Sequence, residues 1–266
     1  MNKNQKSIND LEWWENLYDE PGFSGNYFRQ RKDLALSWIY EMRFSENAII
    51  FDAGCGGGRL MDDAARKGYQ SVGMDFSWKM LEKSRVRCRK ESDYKVCFIQ
   101  GDVEVLAIKD TCLDAIICLG VISYLKSEKA VLAEFSRALK PGGLLILSGT
   151  NKARLIRRLD IPIMILNLKR KIYAKKSWKS VDDSSSKDDQ QRSYLIPQVL
   201  NTLKNEEFTI AEYVTFPYDL PTFMGHEYLP RRVSEKVSSF VEHFDQLPVV
   251  GSFGSMWMIK ANKNLT

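Results

Sequence analysis

The sequence predicts an α/β protein, a mostly parallel sheet with helices on both faces. Two observations predict it. Five short apolar runs alternate with amphipathic stretches between Asn47 and Gly149, and a glycine-rich loop follows the first run and opens the first of those helices. A chain of 266 residues corresponds to about two domains at ~150 residues each, but α/β folds often reach ~250 residues as one. With 44% hydrophobic and 27% charged residues, it is neither a disordered chain nor a fibrous repeat.

Ala48 to Asp52 is a bounded apolar run and reads as a buried strand; a helix follows from Gly58 to Lys67, stopped at Gly68. Ser71 to Asp75 is a second strand, Trp78 to Lys90 a helix rich in Lys, Arg and Glu, and Val96 to Gln100 a third strand. Leu113 to Cys118 is a fourth strand, Ser127 to Leu139 a helix ended by Lys140-Pro141-Gly142-Gly143, and Leu144 to Ser148 a fifth strand. A helix resumes near Pro197, which suits a first turn. Thr209 to Phe216 and Ser252 to Ala261 are two late strands, with an amphipathic helix from Arg231 to Asp245 between them. The expected organisation is one domain from 1–150 and 193–266, with 151–192 inserted as a basic lid segment and flexible linker.

Charge is concentrated in that insertion. Residues 151–180 hold ten Lys and Arg side chains and one acid, Asp160, so they carry +9 of a net +5 and leave −4 on the rest. Such a segment attracts phosphates of lipid headgroups, nucleic acid or substrate, unless it is only a solvated loop. Its mixture of Leu, Ile and Met with Arg and Lys is that of interfacial helices on anionic membranes, so 153–176 is the expected membrane contact. No apolar stretch approaches the ~20 residues of a spanning helix, and from the polar N-terminus no signal peptide is expected. The five cysteines are irregularly spaced without a CxxC pair, and no His/Cys cluster has metal-ligand spacing. A cytoplasmic, reducing location, peripheral to a membrane and without a metal, is expected.

The strongest motif is Asp52-Ala53-Gly54-Cys55-Gly56-Gly57-Gly58. Its D-x-G-x-G-x-G pattern fails the GxGxxG dinucleotide fingerprint in both frames, since Arg59 or Met61 stands where the third glycine belongs. Glycines there let backbone approach a ligand closely, and an acid two residues before the first glycine suits a cationic group and would repel a pyrophosphate. S-adenosylmethionine (SAM), with its ammonium and sulfonium, meets that requirement; a purely structural turn is the alternative. Asp75 ends the second strand, where a carboxylate can accept both ribose hydroxyls. Asp102 and the Val103 N–H follow the third strand, where they can meet adenine, and Leu119-Gly120 follow the fourth, where backbone can line the pocket floor. Alone, each Asp would read as a helix cap.

With these residues in order, the chain resembles the class I SAM-dependent methyltransferases, near their quinone-biosynthesis and small-molecule branch. Phe51–Leu60, Gly73–Leu81, Gly101–Asp102, Asp114–Ile122 and Leu139–Leu145 carry the resemblance, which covers about 25–150 well and 193–216 and 252–261 loosely. It implies a Rossmann-like sheet of seven strands, the last antiparallel. It also implies that Asp52, Gly54, Cys55 and Gly56 line the methionine moiety, that Asp75 holds the ribose, and that Phe76 and Met80 flank adenine. Asp102 and Val103 would recognise adenine, with Leu119 at the floor. An upstream aromatic-x-Arg helix reaches the SAM carboxylate in this branch; of Tyr27, Arg29 and Arg31, Arg29 is the expected contact. Two positions depart from the family: Tyr124 stands where members often carry His, and Glu207-Phe208 replaces Gly-Phe.

The expected activity is transfer of a methyl group from SAM, leaving S-adenosylhomocysteine, to an O, N or C atom of a small, amphiphilic or lipid-like metabolite. Tyr124, to orient the acceptor, and His226, as general base, are the candidate catalytic residues. His243 is expected at the surface, and Trp13, Trp14 and Tyr18 in a lid or in the core. Two rival readings are an RNA methyltransferase and a SAM-binding regulator without catalysis. Nucleic acid is the weaker partner, because the N/D-P-P-Y pattern of base methylation is replaced by Leu119-Gly120-Val121-Ile122.

Overall fold

The computed structural model describes residues 16, 18–19, 23–88, 95–153, 192–216, 222–223, 226–227 and 256–265. In chain order these form α1 (Phe23–Glu41), β1 (Ile49–Ala53), α2 (Arg59–Arg66), β2 (Gln70–Asp75), α3 (Trp78–Cys88) and β3 (Val96–Gln100). Next come β4 (Leu113–Leu119), a 3-10 turn (Ile122–Tyr124), α4 (Glu128–Ala138), β5 (Leu139–Thr150), α5 (Ile196–Asn205) and β6 (Phe208–Phe216). The two-residue strands β7 (Thr222–Phe223) and β8 (His226–Glu227) pair with each other, and β9 (Met256–Lys263) closes the order. Expectations for Trp13, Trp14, the basic stretch 154–191 and the helix of 231–245 with His243 fall outside the described residues.

The main sheet has seven strands in the order β3-β2-β1-β4-β5-β9-β6. Pairings from β3 to β5 are parallel, and β9 runs antiparallel to both β5 and β6. This is the Rossmann-like arrangement with an antiparallel late strand that the resemblance implies. Residues 192–216 and 256–265 complete the sheet that 49–150 begin.

The apolar runs lack polar alternation because the central strands are covered twice. Phe51, Ile116, Leu145 and Leu147 pack on one face with Val131, Leu132 and Phe135 of α4 and with Val199 and Leu203 of α5. Ile50, Ala115, Ile117, Leu144 and Ile146 pack on the other with Leu36, Trp38 and Ile39 of α1 and with Leu60 and Ala64 of α2. Period-two alternation along β1, β4 and β5 therefore sends neighbouring residues into two separate cores. At the far end of the sheet, Asp114 accepts from the Ile49 N–H at 2.9 Å and from Lys140 Nζ at 2.8 Å, pinning β1 to β4 and β5.

One boundary differs from expectation, and one helix leaves no clear periodic signal. β5 begins at Leu139, five residues early, because Leu139 pairs with Leu113 before an irregularity restores regular pairing at Ala115–Leu144. α1 escapes periodicity because its apolar residues crowd more than one side: Tyr27, Ala35, Leu36, Trp38 and Ile39 are buried, and Phe28, Leu34 and Tyr40 are half-buried. No described helix is long and apolar enough to cross a membrane.

Candidate functional site

Parallel strands deliver their following loops to one edge, and here those loops enclose a cavity of about 290 Å³ at the carboxyl ends of β1, β2 and β4. Asp52, Gly54, Cys55, Gly56, Asp75, Met80, Leu119 and Tyr124, all named from sequence, line it. The glycine loop is shaped by its own hydrogen bonds. The N–H groups of Gly54 and Cys55 both donate to the Met74 carbonyl (2.8 and 2.9 Å), that of Gly56 donates to Asp75 Oδ2 (2.9 Å), and that of Gly58 to the Cys55 carbonyl (2.9 Å). Gly54 has φ +81°, and a Cβ there would lie 2.2 Å from Val121 Cγ2. Helix α3 holds the far side: Ser84 Oγ donates to the Gly56 carbonyl at 2.6 Å, and the Arg87 guanidinium donates to the Gly57 carbonyl.

A loop that cradles phosphate presents unused N–H groups, whereas here those of Gly54, Cys55, Gly56 and Gly58 are consumed internally. What the loop presents is space and the acidic side chains beside it, which favours a cationic group.

The charges follow the same logic. Asp52 is 4% exposed, and its carboxyl is raised from 3.8 to about 7 by burial first and by the negative charge of Asp75 second, with Arg31 pulling the other way. Asp75 is also raised by burial, opposed by the Ser77 and Gly56 N–H groups it accepts from, at 2.8 and 2.9 Å. Each Asp75 oxygen takes one backbone donor and keeps a lone pair for another. Burial, then Asp52 and Asp75, push the Cys55 thiol far up, so Cys55 is an inert wall rather than a nucleophile.

Arg31 is the buried cation of the cleft. It is 4% exposed, lies over the rings of Phe28 (4.6 Å) and Tyr27 (5.6 Å), and its Nε has no hydrogen-bond partner among the described residues. Burial works against its charge, but the oxygens of Tyr27 and Tyr18 outweigh burial and its pKa is raised. Gly120, at φ +77°, makes room for it: a Cβ there would lie 2.8 Å from Arg31 Nη1. Arg29, the expected contact, points elsewhere, donating to the Tyr18 carbonyl at 2.7 Å. Two helical residues are about 200° apart, so Arg29 and Arg31 face opposite ways, whereas Tyr27 and Arg31, four apart, share a side. That spacing was the available signal for Arg31.

Phe76, Asp102 and Val103 are not among the residues lining the cavity. Phe76 is 79% exposed, Val103 is buried in the core, and Asp102 Oδ1 accepts from the Glu104 N–H at 2.9 Å. His226 lies in β8 opposite Phe223, and its side chain is outside the described residues. Sequence reasoning missed Phe28, Arg59, Leu60, Val121 and Met256 as lining residues. Among the described residues, no group of three His, Cys, Asp or Glu side chains is placed to hold a metal ion.

A buried acid of raised pKa, a buried arginine with an unused donor and a second carboxylate with spare lone pairs fit a ligand bearing an ammonium, a carboxylate and vicinal hydroxyls. Residues 51–147 match the family model described as "Methyltransferase domain". The chain is 34% identical over 106 residues to a ubiquinone biosynthesis O-methyltransferase of Xanthomonas oryzae pv. oryzae, covering 40% of this chain and 44% of that one. It is 28% identical over 120 residues to the protein of the same name from Paracidovorax citrulli, covering 45% and 50%. The chain thus spans about half the length of the curated relatives it matches. In fold it is similar to a magnesium protoporphyrin IX methyltransferase from Synechocystis PCC 6803 with bound SAH, at a TM-score of 0.64, 16% identity and coverage of 96% of this chain and 94% of that one. Residues 51–147 are thus similar to a methyltransferase domain, and the sheet they belong to has the fold of a methyltransferase of known structure.

Proposed function

We propose that this chain transfers the methyl group of SAM to an oxygen, nitrogen or carbon atom of a small amphiphilic metabolite. The observation that carries this reading is the buried pair of opposite charges, Asp52 and Arg31, lining one cleft with a glycine loop whose N–H groups are already engaged. Asp52 would receive the ammonium, Arg31 the carboxylate and Asp75 the ribose hydroxyls. Phe76, Met80, Asp102 and Val103 are proposed for the adenine side.

When bound, SAM supplies an already activated methyl, which passes to the acceptor as the carbon–sulfur bond breaks and its electron pair returns to sulfur. The protein's part is to hold the acceptor in line and to exclude water. Tyr124, half exposed and lining the cleft, is placed to orient the acceptor. His226 is proposed as the base for an acceptor hydroxyl or protonated amine.

The amphiphilic acceptor is supported by the charge of the inserted stretch and by relatives named for ubiquinone biosynthesis. We read 1–150 and 193–266 as one domain with 151–192 inserted, and 153–176 as its contact with an anionic membrane surface. Deleting 153–176 is expected to abolish binding to anionic liposomes while S-adenosylhomocysteine affinity survives. Incubation with methyl-labelled SAM and a whole-cell extract, then separation into organic, aqueous and RNA fractions, tests the activity. Label in the organic phase is expected. Label in RNA overturns the acceptor class, and absence of label despite S-adenosylhomocysteine binding overturns catalysis.

A further inference from the structure

The loop that carries Tyr124 is fastened from two sides by side chains that do not line the cavity. On one side Glu104, half-buried in the turn after β3, accepts through Oε1 from the N–H groups of Lys126 (2.6 Å) and Ser127 (3.0 Å). Ser127 in turn caps α4, its Oγ accepting from the Ala130 N–H at 3.2 Å. The carboxylate therefore meets the positive end of α4, where an anion is stabilised. On the other side the buried Tyr194 donates from Oη to the Ile122 carbonyl at 3.2 Å, and the Arg192 N–H donates to the Ser123 carbonyl at 2.7 Å. Tyr194 is itself stitched to the end of β5: its N–H donates to the Thr150 carbonyl, and its carbonyl accepts from the Lys152 N–H, both at 2.9 Å.

Between these clamps lies Tyr124, and just before them Gly120 and Val121; all three share one cavity with Asp52 and Asp75. We infer that Glu104 is a positioning residue: it fixes the loop after β4 so that a ligand in the cleft closes onto a preset Tyr124. The inference rests on reading the cleft as the SAM site. Of the two clamps, Glu104 tests the idea best. It is a single side chain reaching across 22 residues of chain to two N–H groups, and its amide counterpart keeps the accepting oxygen.

The experiment is hydrogen exchange on the full chain with and without S-adenosylhomocysteine, for wild type, Glu104→Ala and Glu104→Gln, alongside calorimetric titration of the same ligand. In wild type the ligand is expected to slow exchange at Val121–Leu125 by at least about fivefold, and Glu104→Gln to keep that increment. In Glu104→Ala the increment is expected to vanish while affinity changes less than about threefold. A merely structural Glu104 would raise exchange in free and bound forms alike and leave the increment intact; that result overturns the inference. Absence of binding to wild type would overturn the reading of the cleft itself, and with it this role for Glu104.

Discussion

The two halves of the cleft are held by different means. The half formed by Gly54–Gly58 and Asp75 is held by hydrogen bonds that each engage a backbone group of the glycine loop, all within a stretch of 34 residues that includes Ser84 and Arg87 of α3. The half formed by Tyr18, Arg31, Tyr124 and Met256 is gathered from four distant stretches. It is held by side chains: Arg29 on the Tyr18 carbonyl, Arg59 on Asp19, Glu104 and Tyr194 on the loop after β4. The first half leaves no room for an added Cβ at Gly54 or Gly58, whereas the second, held side chain by side chain, is adjustable one contact at a time. Substitutions in the first should therefore be severe and those in the second graded.

The largest effect is expected at Gly54→Ala. Its φ of +81° costs an L-residue about 1–2 kcal/mol, and a methyl 2.2 Å from Val121 Cγ2 adds overpacking of about 1–3 kcal/mol. Scanning calorimetry should show Tm lower by roughly 5–15 °C, with S-adenosylhomocysteine binding lost. Adding Val121→Ala should recover the overpacking part and leave the backbone part. Full recovery would show that φ carries no strain here.

Next comes Arg31→Met, which keeps bulk beneath Gly120 and removes the buried cation. Affinity for S-adenosylhomocysteine should fall by more than about tenfold, as expected for loss of a charge-assisted hydrogen bond in a buried site. The same substitution removes the one cation that lowers the Asp52 pKa, so Asp52 should titrate above 7 in the variant. Arg29→Met should cost far less affinity, because Arg29 serves the Tyr18 carbonyl.

Asp52 makes the cleft responsive to pH. Its folded pKa of about 7 lies above the ordinary 3.8, so the empty protein binds a proton there that the unfolded chain does not hold between those values. That stability is present at acid pH and is lost as pH rises towards 7. A ligand ammonium needs the ionised form, so affinity should rise by about tenfold per pH unit up to 7 and level off above it. Calorimetry from pH 5.5 to 8.5 measures it. Asp52→Asn should flatten the profile and bind weakly throughout.

What could be read in advance divides along the same line as the cleft. The strands, the glycine loop, Asp52 and Asp75 are legible because apolar period, turn glycines and strand-end acids are local signals. Even there, only the structure shows that the loop's N–H groups are spent on Met74 and Asp75. The adjustable half leaves weaker marks. Arg31 was separable from Arg29 only by helical phase. Glu104 on Lys126 and Ser127, or Met256 at the start of β9, depends on chain crossings that no local pattern encodes.

The smallest effect should come from Asp19→Asn, at the outermost contact. Asp19 pairs with Arg59 through both guanidinium nitrogens, and Arg59 in turn covers the ring of Tyr18 at 5.2 Å. The Asp19 side chain is 67% exposed and that of Arg59 23%, so the pair belongs with exposed ion pairs worth less than about 1 kcal/mol. Stability should barely change. Tyr18 nevertheless lines the cleft, so loosening it should speed release of S-adenosylhomocysteine, by about two- to fivefold in stopped-flow displacement. Raising salt from about 0.05 M to about 0.5 M should reproduce the faster release in wild type and do little in the variant, because screening has already been replaced by loss of the charge. Equal salt sensitivity in both proteins would mean that the aromatic contacts of Tyr18 with Phe28 and Arg59, rather than the ion pair, hold the outer wall.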